Sequence, residues 1–137
     1  MWLSWQEACK GWDLPAYLER KFGLVGPGLY EDECVVESPF EGGVFVRDVA
    51  DYVRKRLLVP ATARQAWQYV KENPRAQFDH PLVVVGEGAQ AEDQHGHPQV
   101  LCFSCTSGKP SVQILRQGEK LGSNARLLTV QLDLPPF

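Results

Sequence analysis

The sequence predicts an α+β fold, with helices first and strands afterward, and three observations predict it. Up to Asn73 the apolar residues recur at helical spacing. From Leu82 onward they run continuously or alternate, as strands do. The strand candidates are joined by short turn-like segments, which favours antiparallel neighbours because a parallel crossover needs about a dozen residues. The expected architecture is therefore a set of N-terminal helices packed on one face of a small, mainly antiparallel C-terminal sheet of about four strands. At 137 residues the chain suits one domain over 1–137, its helical part about 1–75 and its sheet part about 80–135.

Ser4 and Glu7 stand at capping-box spacing, and Trp5, Ala8, Cys9 and Trp12 follow at i, i+3, i+4, i+7, which predicts a short helix. Asp13 can cap a second one, with Pro15 in its first turn, a stripe of Leu14, Tyr17, Leu18 and Phe22, and Gly23 as its stop. Residues 24–43 read as a loop holding one short strand at Cys34-Val35-Val36, because Gly26-Pro27-Gly28, Ser38-Pro39 and Gly42-Gly43 interrupt any period. Val46, Val49, Ala50, Val53 and Leu57 form the clearest helical stripe, and Ala63, Ala66, Trp67 and Val70 form another. Thr62 or Pro60 starts the latter and Asn73-Pro74 ends it. The short connection Leu58-Val59-Pro60 predicts that these two helices pack as a pair.

The strand candidates are Leu82–Val85, Val100–Thr106, Ser111–Gln117 and Leu127–Leu134, with turns at Ser107–Pro110 and Gly118–Asn124. Alternation places Leu101, Phe103, Cys105, Val112, Ile114, Leu128, Val130 and Leu132 on one buried face. Val49, Val53, Leu57, Ala66, Trp67 and Val70 are the expected helical counterpart.

A chain with 44% hydrophobic and 23% charged residues folds rather than staying disordered. No stretch reaches the roughly 18 apolar residues of a membrane span, and Glu7 and Lys10 interrupt any secretory leader, so a cytoplasmic protein is expected. Cys9, Cys34, Cys102 and Cys105 lack the density of a disulfide framework and are read as free thiols. A net charge of −3 argues against a protein that coats nucleic acid. Residues 46–75 nevertheless hold seven cations against three carboxylates, enough to steer a charged partner to one face.

The stretch HGHPQVLCFSC brings His95, His97, Cys102 and Cys105 within eleven residues, a donor set that zinc would accept. Strand geometry opposes it, since residues three apart in a strand face opposite sides and the two thiols would point away from each other. A thioredoxin-like pair also needs a helix after the thiols, whereas Thr106-Ser107-Gly108 makes a turn. The deaminase pattern is absent, because neither histidine precedes a glutamate two residues on.

The segment 49–67 superficially resembles a helix-turn-helix, with Arg54, Arg56, Thr62, Arg64, Gln65 and Gln68 as candidate contacts to phosphates and base edges. The turn glycine of that motif is missing. Trp5, Trp12 and Trp67 could line a cleft for an apolar or cationic ligand, rimmed by Glu31, Asp32 and Glu33. No nucleophile elbow, Walker loop or dinucleotide fingerprint occurs. These readings make the chain a small binding or interaction module, without catalysis and without a cofactor, that engages a protein or small ligand through aromatic and acidic surface. A DNA-associated regulator using 47–71 and a zinc-binding protein are the alternatives, and open sheet edges would admit a homodimer.

Overall fold

The computed structural model describes residues 3–15, 18–23, 25, 33–40 and 43–132. Its helices are α1 (Trp5–Ala8), α2 (Leu18–Phe22), α3 (Val49–Lys55), α4 (Ala63–Glu72) and α5 (Ala76–Asp79), and a 3-10 turn at Val46–Asp48 leads into α3. The strands are β1 (Glu33–Pro39), β2 (Val44–Phe45), β3 (Leu82–Val84), β4 (Gln90–Glu92), β5 (Pro98–Thr106), β6 (Lys109–Arg116), β7 (Lys120–Leu121) and β8 (Arg126–Leu132). Six of them form one sheet, while β2 and β7 pair separately.

The β5–β6 hairpin is the longest pairing, from Gln99↔Arg116 to Thr106↔Lys109. Its two turn residues, Ser107 and Gly108, have φ of 52° and 79°, the left-handed pair whose twist matches that of the strands. β3 lies antiparallel on the other side of β5 at Leu82↔Phe103, and β4 continues that side at Gln90↔Val100. β8 does not extend the meander. It runs parallel to β3 at Leu82↔Arg126 and Val83↔Leu127, with β1 antiparallel on its far side, so the sheet is mixed: mainly antiparallel, as expected, with this one parallel pairing. The chain between β6 and β8 is no tight turn: it carries β7 to β2, and Leu121 and Ala125 pack against Val83 and Cys102.

Helices cover both faces of this sheet, which corrects the expected one-sided arrangement. On the first face Trp5, Phe22, Ala66, Trp67 and Val70 pack on Leu82, Val84, Leu101, Phe103, Leu128 and Val130. On the second face Val46, Val49, Tyr52 and Val53 pack on Val83, Val85, Val100, Cys102 and Leu127. A strand buried on both sides has no use for polar residues, and this accounts for the unbroken run Leu82–Val85.

α3 and α4 therefore belong to opposite cores and do not form a packed pair. The connection between them passes through the sheet plane. Ala61 N–H donates to Leu128 O at 3.0 Å and Val130 N–H to Val59 O at 2.8 Å, so this segment takes β8's inner edge where β3 has ended. Gly86 N–H donates to Ala61 O at 3.0 Å from the other side. Once through, Thr62 and Gln65 close a reciprocal capping box that starts α4.

Other expectations also shift. Asp13 does not cap a helix: its N–H donates to Pro110 O at 3.0 Å and its carbonyl accepts Val112 N–H at 3.0 Å, which extends the sheet beyond β6. Cys105 and Leu57, expected in the core, are exposed. The side chain of Leu132, and Tyr17, lie outside the described residues. Among the described residues no helix is long and apolar enough to cross a membrane.

Candidate functional site

The four proposed zinc ligands do not converge, and no group of three or more metal-binding side chains occurs among the described residues. His95 and His97 sit in the exposed turn between β4 and β5, where Asp93 organises the backbone: its Oδ1 accepts the N–H of His95 at 2.8 Å and of His97 at 2.9 Å. These amide bonds, foremost that of His97, hold the Asp93 carboxyl below its ordinary 3.8. Cys102 is shut into the second core among Val83, Val100 and Leu127, and burial pushes its thiol up to about 12. Cys9 is likewise raised to about 12 by burial in the first core. Cys105 stands exposed at the end of β5.

A thiol reacts as its thiolate and must be reachable. Under native conditions alkylation followed by peptide mapping is therefore expected to label Cys105 and to leave Cys9 and Cys102 unmodified until the chain is unfolded. Rapid native labelling of Cys102 would show that the second core is open.

The helix-turn-helix reading loses its geometry with the separation of α3 and α4. Thr62 and Gln65 are bound to each other in the capping box, and Gln65 is buried. Gln68 is exposed, with Nε2 to Glu72 Oε1 at 3.5 Å. Arg64 lies over the Trp67 ring at 4.4 Å, while Arg54 pairs with Asp51 and Arg56 stacks on Tyr52 at 3.7 Å.

Trp5 and Trp67 belong to the first core, and Trp12 packs against it. Trp5 is wholly enclosed and lies 6.2 Å from the Phe103 ring, and half-buried Trp12 meets that ring edge-on at 6.0 Å. Trp67 Nε1–H donates to Ala8 O at 3.0 Å, tying α4 to the end of α1. The cation seat on Trp67 is already filled from within, because Arg64 and Lys71 both lie over its ring. Of the acidic rim, Glu31 and Asp32 lie outside the described residues, as does the Glu33 side chain.

The surface that departs furthest from ordinary protein chemistry is the end of α3, which sequence reasoning assigned to the core. Leu57 N–H donates to Arg54 O at 3.2 Å and Leu58 N–H to Val53 O at 3.0 Å, the two bonds of a Schellman cap. Leu58 and Val53 supply the apolar contact that accompanies this cap. The position between them needs a left-handed backbone and ordinarily holds glycine. Here Leu57 adopts φ of 54° with its side chain 89% exposed. Val59, two residues on, is 47% exposed, and Arg54, Lys55 and Arg56 precede the pair. The missing turn glycine was the sequence signal for this site.

No protein-family model matches the chain, and no curated protein or solved structure matches it.

Proposed function

We propose that this chain is a small protein-binding domain whose contact surface is the corner between α3 and α4, with Leu57 as the anchor. The observation that supports it is Leu57 itself. A non-glycine residue in the left-handed region costs about 1 kcal/mol, and an exposed leucine recovers none of that by burial in this chain. Glycine would satisfy the cap better, so leucine is a poor choice for stability and a good one for filling a pocket on another molecule. The occupant that fits is a protein surface with an apolar pocket bordered by a carboxylate, since Lys55 stands exposed beside the tip, while Arg54 is already paired with Asp51 and Arg56 is stacked on Tyr52. This reading places the contact on an apolar tip beside a cation, whereas the sequence suggested an aromatic and acidic surface, of which Glu31, Asp32 and the Glu33 side chain lie outside the described residues.

The test begins with a photo-crosslinking residue at position 59, exposed beside the intact Leu57, which identifies a partner for purification. Affinity is then measured for Leu57→Gly and Lys55→Glu. Leu57→Gly is expected to weaken binding about tenfold or more while raising the chain's own stability by about 0.5 kcal/mol, the strain relieved less the added freedom of the unfolded chain. Lys55→Glu should weaken it less and reduce its salt dependence. Unchanged affinity in Leu57→Gly, or wild-type retention on anionic lipid vesicles that the same variant loses, would overturn the reading.

A further inference from the structure

Lys21, Gln99 and Arg116, with Glu92, Asp93 and His95 along the rim, line a depression of 640 Å³ beside the β4–β5 turn. Volumes of this order hold small molecules. Register accounts for part of its floor. Gln99 on β5 is the direct partner of Arg116 on β6, so their side chains leave the same sheet face side by side. Lys21 descends from α2, and its Nζ donates to Gln99 Oε1 at 2.7 Å.

That one bond fixes the chemistry of the floor. Gln99 is only 7% exposed, and with its oxygen committed to an ammonium group its Nε2 presents two N–H donors. Neither that amide nitrogen nor the Arg116 guanidinium has an acceptor among the described residues. The Gln99 amide nitrogen is not sealed from solvent, so its donors and those of the exposed Arg116 guanidinium open together onto the depression. The nearby carboxylates do not fill the role. Asp93 spends its Oδ1 on the amides of His95 and His97, and its Oδ2 lies 3.4 Å from His97 Nδ1.

We infer that this depression binds a small ligand through an oxyanion, seated on the donors of Lys21, Gln99 and Arg116. Carboxylate and phosphate share the required chemistry: both accept the fork of a guanidinium and the point charge of an ammonium together. Glu92 opposes the oxyanion and limits its affinity. This site uses none of the residues of the α3–α4 corner and stands or falls without it.

The test is a titration of the isotopically labelled full chain, at low ionic strength, with inorganic phosphate and separately with acetate, following the side-chain amide signals of Gln99. Saturable movement of those signals is expected with at least one probe, and which probe moves them distinguishes phosphate from carboxylate. Arg116→Gln and Lys21→Gln should each weaken that binding about tenfold, and Glu92→Gln should tighten it. All three positions lie at the surface, and the backbone amide spectrum of each variant reports whether it folds as the parent does. The inference falls if neither probe moves the Gln99 amide, or if a folded Arg116→Gln titrates like the parent.

Discussion

Gly86→Ala is expected to destabilise the chain by about 3 kcal/mol or more, measured as the shift in its urea midpoint. A Cβ on Gly86 would stand 2.1 Å from Ala61 O, 2.6 Å from Ala61 C and 3.0 Å from Thr62 N. All three are backbone atoms, and none can swing aside as the end of a side chain would. They belong to the segment that threads between β8 and the end of β3, held there by Ala61 N–H on Leu128 O and by Gly86 N–H on Ala61 O. Accommodating the methyl group means pushing that segment off one of its two supports, which breaks hydrogen bonds in the sheet plane and loosens the start of α4. Two further substitutions separate this cause from a general intolerance of glycine replacement. Gly118→Ala meets nothing within 4 Å and carries no positive φ, so it should be close to neutral. Gly96→Ala also meets nothing within 4 Å but sits at φ of 79°, and should lose about 1 kcal/mol from backbone strain alone. A Gly86→Ala variant as stable as Gly118→Ala would mean that the chain does not cross the sheet at this point.

The same crossing marks the limit of what the sequence disclosed. Each amphipathic stripe identified a helix and its buried side: Val49 and Val53 for α3, Ala66, Trp67 and Val70 for α4. A stripe does not say which face of a sheet it will cover, and a three-residue connection made a packed pair the economical reading. What sent the helices apart is a set of backbone hydrogen bonds from Val59 and Ala61, which no side-chain pattern records. The β5–β6 hairpin was legible because its determinants are local, alternation at Leu101 and Phe103 and a turn at Ser107-Gly108. The partners of β8 were not, since Val35↔Val130 and Val83↔Leu127 join distant parts of the chain. Alternation along β5 did place Cys102 and Phe103 in different cores. It failed at Cys105, which is exposed one residue before the end of β5. At the α3 corner the relevant clue was a residue that is missing: Arg-Lys-Arg-Leu-Leu ends a helix without the glycine that its Schellman cap favours, and Leu57 was read as one more member of the stripe. The oxyanion floor lay beyond the sequence, because it depends on the register that sets Gln99 beside Arg116.

Phe103→Ala is the other substitution expected to be severe, at about 4 kcal/mol. The ring is wholly buried on an inner strand of the sheet, with Leu82 and Val112 as its cross-strand partners. Trp5 lies tilted against it and Trp12 meets it edge-on, 87° between the planes. Removing it leaves a cavity walled by two indoles that rigid strands keep from collapsing, and such aromatic pairs add about 0.5–1.5 kcal/mol beyond the area they bury. Because the sheet divides the interior, the loss should couple to some positions and not to others. With the milder Phe103→Leu, a double-mutant cycle against Trp12→Leu is expected to be non-additive by about 1 kcal/mol, since the two rings touch. The matching cycle against Tyr52→Leu should add within about 0.5 kcal/mol, for Tyr52 packs on Phe40 in the opposite core. A third cycle with Leu82→Ala supplies the coupled aliphatic neighbour and guards against a response peculiar to aromatic rings. Coupling of Phe103 to Tyr52 as strong as its coupling to Trp12 would mean that the two faces share one interior, and that α3 and α4 lie on the same side after all.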